Sequence, residues 1–257
     1  MVQLTSRERV DAFWSSTLGV EPAEFRTPGI SVFLNPPQRA SWRGIYVLAF
    51  DKGASVFTPE DLRERVTAAL ATHDVESVLD PATWRSGDGV GRGIQTSVLD
   101  DGLISVVGPM IHHYLDDPAG LKEVAAGRRI NPGDAEALAD IRTAVPPEEW
   151  AAAGFNAQPA VMFGLFEDER MMAAANLTPG PDAATDIGLV LHPDARGKGY
   201  GVQIAATAAR QALLMHGIAR FRVAATSQAT LAIASTLGFE EYGRNLAIYL
   251  TPGPPPH

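Results

Sequence analysis

Apolar residues first fall at helical spacing over 7–18, where Val10, Phe13, Trp14 and Leu18 share one face. Two strand-like runs follow. ISVFL at 30–34 stops at Asn35-Pro36-Pro37, and GIYVLAF at 44–50 is apolar and partly β-branched. Residues 55–57 fit a short third strand. Thr58-Pro59-Glu60-Asp61 reads as a helix start, with Thr58 as N-cap and Pro59 at the first helical position, the helix reaching about Thr72. Runs at 94–99 and 103–107, separated by Asp100-Asp101-Gly102, predict a hairpin. Residues 116–129 are polar and irregular. A helix is predicted over 135–143 after Asn131-Pro132-Gly133-Asp134, and a short one from Pro146-Pro147.

The C-terminal third is the most regular. Strands are predicted over 160–167 and 170–176, joined at Asp168-Glu169, and again over 186–191. A polar, glycine-rich turn, 192–201, leads into an amphipathic helix over 202–215 whose Ile204, Ala208, Ala212 and Met215 share a face. A strand at 221–225 and a helix to Leu237, capped by Thr226 or Ser227 and ended by Gly238, precede a last strand at 242–250. The closing TPGPPPH reads as a solvated tail.

Composition narrows the class. The 257 residues are 46% hydrophobic and 20% charged, an ordinary globular balance with room for one large or two small domains. Acids outnumber bases 30 to 21, for a formal charge of −9. A chain this acidic lacks the basic face that phosphate backbones require, so no nucleic-acid partner is expected. The same charge favours the approach of cationic substrates such as amines. The absence of cysteine removes disulfides, thiolate metal sites and a cysteine nucleophile. The N-terminus has no apolar run, and no segment reads as a membrane helix, so a soluble cytoplasmic protein without a membrane partner is expected. Abundant Ala, Gly and Pro fit a GC-rich bacterial source.

The informative segment is TDIGLVLHPDARGKGYGV, 185–202. A buried strand runs into a loop with Gly197, Gly199 and Gly201, then straight into a long helix. Backbone N–H groups of the loop and the unpaired amides of the helix start form an anion site suited to a pyrophosphate. Arg196 and Lys198 add charge. The dinucleotide spacing G-x-G-x-x-G fails because position 202 is Val, and a P-loop would need Gly-Lys-Ser/Thr. Arg196-Gly197-Lys198-Gly199-Tyr200-Gly201 does fit R-x-x-G-x-G. With the helix, strand, helix and Leu237-Gly238-Phe239 that follow, it resembles the acetyl-CoA-binding motif of the GNAT superfamily of N-acyltransferases. The resemblance covers roughly 125–250.

That resemblance implies an α+β fold, a mixed and mostly antiparallel sheet flanked by helices, with acetyl-CoA as co-substrate and no metal. The strand before the loop would splay from its neighbour and pair with the pantetheine arm through the backbone of Leu189, Val190 and Leu191. The pyrophosphate would take amides from Gly197 to Val202: Gly197, Lys198, Gly199, Tyr200, Gly201 and Val202. Ser227 stands where the family often has an Asn against pantetheine, and it equally fits a simple helix cap. The tyrosine that often protonates the departing thiolate is Ala234 here; Tyr242, Tyr249 or solvent would have to substitute. Asp186 and Glu149 are the candidate carboxylates for deprotonating the amine, with Asp186 one residue off the usual strand position and Glu149 also readable as a solvated helix-start acid.

Other residues read as structural. His112-His113 point to opposite faces of a strand and chelate poorly. His192 reads as exposed. Asn176-Leu177-Thr178 matches a glycosylation sequon, and SGDGVGRG at 86–93 reads as a surface loop. Residues 121–257 are expected to form the catalytic GNAT domain. Residues 1–120 are expected to be an additional α+β domain, either a degenerate GNAT-like half or an unrelated cap, walling the acceptor site. The expected activity is acetyl transfer from acetyl-CoA to a primary amine of a small molecule, in a chain that could form a homodimer. A protein or peptide acetyltransferase and a non-catalytic CoA-binding module are the alternatives.

Overall fold

The computed structural model describes residues 6–37, 42–85, 103, 105–119, 121–156, 161–178 and 185–250. The loop 86–93, the strand expected over 94–99 with its hairpin turn, and the tail from Thr251 lie outside the described residues. The fold is α+β, with mostly antiparallel pairing and flanking helices, as the resemblance implied.

The chain divides into two compact units, each described by itself. One comprises Met1–His112, Ala224–Thr226 and Tyr242–His257; the other comprises His113–Val223 and Ser227–Glu241. The sequence reading draws a single cut between 120 and 121. The structure instead groups the last strand with the N-terminal unit, because that strand completes the N-terminal sheet.

In the N-terminal unit α1 (Ser6–Leu18) and α2 (Pro22–Phe25) lead to β1 (Gly29–Leu34), β2 (Gly44–Phe50) and β3 (Gly53–Thr58). Val10, Phe13, Trp14 and Leu18 are all buried, as their spacing required. β2 and β3 pair antiparallel, and β1 lies parallel to β3 with Leu34 opposite Thr58. Thr58 is therefore a strand residue and not a helix cap: its carbonyl accepts from the Asn35 N–H at 2.9 Å. A 3₁₀ turn at Glu60–Leu62 opens α3 (Arg63–Leu70), which ends short of Thr72. Two short helices the periodicity missed follow, α4 (Val75–Leu79) and α5 (Pro81–Trp84), each capped by an aspartate, Asp74 and Asp80. They seat Trp84, whose indole N–H donates to the Val78 carbonyl at 2.9 Å. Strand β4 (Ser105–Leu115) is more than twice the length expected over 103–107.

In the second unit, α6 (Leu121–Val124) and the two-residue β5 (Arg128–Arg129) fill the stretch left irregular by the sequence. Then come α7 (Ala135–Ala144), α8 (Pro147–Ala152), β6 (Val161–Glu167), β7 (Arg170–Thr178), β8 (Thr185–Leu191), α9 (Tyr200–His216), β9 (Ala219–Ala224) and α10 (Gln228–Thr236); β10 (Glu240–Tyr249) belongs to the first unit from Tyr242 on. The sheet here runs β9-β8-β7-β6-β5, while β10 pairs antiparallel with β2 in the first unit from Arg244 on.

Helix α9 lies on this sheet through Ile204, Ala205, Ala206, Ala208, Ala209 and Ala212, all fully buried. Alanines on that face let the helix approach the strands closely. Met215 leaves the expected face and is exposed, with Leu214, because the final turn runs past the core that the other positions cover. Leu115, Leu121, Phe163, Phe221 and Phe239 share this core. A second cluster under α7 and α8 holds Ile141, Trp150, Phe155, Met171 and Val190.

The start of α7 carries a charge-dependent lock. Asp134 accepts two hydrogen bonds from the Arg128 guanidinium, at 2.6 and 2.7 Å, and one from the Asn131 N–H at 2.9 Å. The Arg128 bonds first, then the Asn131 amide, pull the Asp134 carboxyl down to about 2. Above the ordinary aspartate value of about 3.9 the carboxylate is ionised whether folded or unfolded, and its stabilisation is fully present. As pH falls from there toward 2 the unfolded chain takes up the proton first, and the stabilisation is lost. Wild type should therefore lose stability between about pH 4 and pH 2 more steeply than Asp134→Asn, as read by urea unfolding at each pH. Parallel profiles for the two proteins would refute this.

Candidate functional site

The parallel register between β8 and β9 consists of Thr185↔Ala219 and Asp186↔Arg220. On its other edge β8 stays paired with β7 from Asp186 to Leu191. The two parallel strands thus join at their first residues and part beyond them, leaving the β9-facing backbone of 187–191 out of that ladder. Leu189, Val190 and Leu191 all lie in the parted stretch. The side chain of Val190 is fully buried and those of Leu189 and Leu191 are partly so.

The fork is held at its base by a buried ion pair. Arg220, with a side chain only 6% exposed, places its Nε and Nη2 on the two carboxylate oxygens of Asp186, the Nη2 bond measuring 2.8 Å. Burial works against the Arg220 charge, but Asp186 and the Tyr114 hydroxyl on β4 outweigh it and hold the guanidinium above its usual value. Asp186 does not project alone into the fork as a ready base; its carboxylate already carries a guanidinium.

A second clamp sets the depth of β8. The fully buried Asn176, opposite Gly188 in the register, donates from Nδ2 to the Ala153 carbonyl at 2.7 Å. A Cβ on Gly188 would lie 1.8 Å from that same carbonyl oxygen, so only glycine lets the end of α8 rest on the strand. The sequon asparagine is therefore an internal clamp, its amide already used.

Beyond Leu191 the chain makes a 3₁₀ turn, Pro193–Ala195, before the glycine loop. His192 is buried, contrary to its expected exposure. Its Nδ1 accepts from the Asp194 N–H at 3.1 Å and its Nε2 faces Arg170 Nη2 at 2.9 Å. Arg170 also pairs with Asp194 at 3.1 Å. The imidazole is thus the cap of the turn, covered by the start of β7.

Gly197 and Gly199 have φ of 75° and 81°, the left-handed region that side-chain-bearing residues avoid. No protein atom lies within 4 Å of a Cβ built on either. The requirement is conformational. Gly201 is a packing glycine, 2.7 Å from the Ile233 side chain if given a Cβ. Gly199 is the N-cap of the 17-residue α9 and makes no side-chain cap bond. The first-turn amides of Tyr200, Gly201 and Val202 accordingly have no intrahelical acceptor. A long helix whose start is left to an external acceptor, with Arg196 and Lys198 exposed beside it, fits the diphosphate of a CoA thioester.

The rim of the loop is tied on three sides. Arg196 Nη2 donates to Glu149 Oε2 on α8 at 2.8 Å. The Tyr200 hydroxyl donates to Glu167 at the end of β6 at 3.0 Å, and this bond holds the phenol above its usual value. Arg170 supplies the third tie through His192 and Asp194. Glu149 therefore sits at the loop and is paired there. Ser227 occupies the N-cap position of α10 without capping it: its hydroxyl is 2.8 Å from that of Thr230. Ala234 is fully buried in the core, and its methyl group carries no proton to give. Tyr242 bonds Asp11 in the N-terminal unit, and Tyr249 packs edge-on against Trp42 there.

Arg220, Tyr114, Asn176 and Gly188 escaped the sequence reading. The only signal for the first was a pair of alternate arginines, Arg220 and Arg222, in ARFRVA, with Asp186 at the start of the neighbouring strand. Among the described residues no group of three or more His, Asp or Glu is placed to hold a metal ion, and no helix is long and apolar enough to cross a membrane. His112 instead packs edge-on against Trp14 and meets Asn245 Oδ1 at 2.7 Å.

Residues 134–239 match the acetyltransferase (GNAT) family and form a GNAT acetyltransferase domain over that part of the chain. No curated protein matches the chain. Solved structures resemble parts of it. A protein of Novosphingobium aromaticivorans assigned to the GNAT acetyltransferases is 18% identical over 57% of this chain and 65% of its own, with a TM-score of 0.47. A GNAT-family acetyltransferase from Colwellia psychrerythraea is 14% identical over 60% of each chain, at 0.46. A tandem GNAT protein from the clavulanic acid biosynthesis pathway is 20% identical over 66% of this chain and 62% of its own, at 0.42. The chain spans less than two thirds of the length of each. At these values the likeness names no acceptor.

Proposed function

We propose that the GNAT domain binds acetyl-CoA at the β8–β9 fork and transfers its acetyl group to a primary amine of a small, cationic molecule. The observation that carries this reading is the fork opening onto the glycine-started, uncapped helix α9. The amides of Gly197 and of Gly199 to Val202 hold the diphosphate, the Lys198 amide donating instead to the Ala195 carbonyl at 3.4 Å, with the Arg196 and Lys198 side chains beside them. The β9-facing edge of Leu189, Val190 and Leu191 receives the pantetheine arm as an added strand, with the Ser227 hydroxyl as a further contact to it. Acetyl-CoA supplies the acetyl group as a thioester. The amine forms the new C–N bond, the C–S bond breaks, and the sulfur leaves with the electron pair.

The proton balance follows from which carboxylates are already committed. Asp186 is neutralised by Arg220 and positions the fork; we assign to water at the fork mouth both protons that the nitrogen gives up, one from the ammonium before attack and one as the amide forms. With Ala234 in the core, the thiolate departs without a side-chain acid. The formal charge of −9 supports a cationic acceptor, and the reading places the protein in the cytoplasm, where acetyl-CoA is found.

The test is a thiol-release assay with acetyl-CoA across polyamines, amino acid derivatives, amino-group antibiotics and peptides. Turnover with a small amine, and a KM for it that rises with salt, is the expected result. Turnover restricted to peptides would move the acceptor to the protein class. CoA binding without turnover on any amine would favour a non-catalytic module, the reading that Ala234 keeps open.

A further inference from the structure

The loop proposed for the diphosphate has its arginine already occupied. Arg196 and Glu149 are 47 residues apart in sequence, on the glycine loop and on the first turn of α8, and meet at 2.8 Å. Both are solvent-accessible, their side chains 53% and 37% exposed, so neither is locked by packing and the pair can open without disturbing the core. The other end of α8 is fixed, through Ala153 on Asn176 and over Gly188. Glu149 is thus a carboxylate held in place by a seated helix, at the mouth of an anion site.

We propose that Glu149 is a built-in competitor of CoA. It holds Arg196 in the free protein and must yield the guanidinium to the diphosphate. The inference rests on the acetyl-CoA reading given above and adds to it a contact that weakens the CoA site. Glu149 takes one N–H of the guanidinium, at Nη2, and offsets its charge; a diphosphate that binds Arg196 through two N–H groups competes for both, so the carboxylate weakens the phosphate contact until it yields. An exposed pair of this kind is weak, and the penalty it places on CoA is correspondingly modest, about two- to fivefold in Kd. Two consequences separate competition from simple support of the loop. Removing Glu149 tightens CoA binding, where loss of a supporting contact would loosen it. The dependence on salt also steepens, because in wild type salt weakens the Glu149 pair and the phosphate contact together and the two effects partly cancel.

The experiment titrates CoA calorimetrically into the full chain as wild type, Glu149→Gln, Arg196→Gln and the double variant, at low and high ionic strength. Glu149→Ala serves as a second removal of the carboxylate, and circular dichroism monitors the fold. Glu149→Gln should bind CoA about two- to fivefold more tightly at low salt and lose affinity more steeply as salt rises. Arg196→Gln should bind more weakly, and in its background Glu149→Gln should change nothing. Unchanged or weaker binding by both Glu149 variants overturns the competition while leaving the acetyl-CoA reading intact. An equal gain in the Arg196→Gln background overturns it as well, since the effect would then be a general field and not a shared arginine. Absence of CoA binding by wild type overturns the acetyl-CoA reading itself, and the competition with it.

Discussion

Asp186→Asn should lower the unfolding free energy by about 3–5 kcal/mol, the scale on which removing one partner from a buried ion pair is felt. The Arg220 side chain is 6% exposed, and without the carboxylate its charge would stay in the interior with the Tyr114 hydroxyl as a remaining partner. Urea unfolding of the variant gives the value directly from the shift in midpoint at constant slope. The double variant Asp186→Asn with Arg220→Met removes the stranded charge and should recover much of the loss, because a methionine fills a similar volume without a desolvation cost. A loss below about 1 kcal/mol in the single variant would mean that water reaches the pair and that the fork is not anchored there.

Gly199→Val should raise the Kd for CoA by about five- to thirtyfold while the overall fold persists. A residue with a Cβ in the left-handed region costs about 1–2 kcal/mol, and a β-branched one is a genuine outlier there. Each 1.4 kcal/mol is a factor of ten in binding. A Cβ at position 199 would meet no neighbour; the strain is in the backbone that aims the first amides of α9. Gly199→Ala should show a smaller loss in the same direction. Calorimetry with CoA measures both, with circular dichroism as the control on folding. Unchanged affinity in the valine variant would show that the anion does not use this helix start.

The local elements were legible in the residues because their signals are local. The buried face of α1 follows from four apolar positions at helical spacing, and the stop of α10 follows from Gly238, whose φ is 77°. The strand, glycine loop and helix from Thr185 to His216 follow from one contiguous pattern of residues. Boundaries failed where a tertiary partner decided them. Thr58 joins a strand because Leu34 stands opposite it, and Met215 faces solvent because the core ends one turn earlier. The chemistry of the site was decided entirely by such meetings. Nothing in the order of residues says that Asp186 finds Arg220, that Glu149 finds Arg196, or that Asn176 clamps Ala153. Each pair lies 23 to 47 positions apart and is brought together by strand register or helix docking. Sequence periodicity carries which face a side chain takes. Which charge stands opposite it depends on how separate elements pack, and that is set by the burial of the whole core.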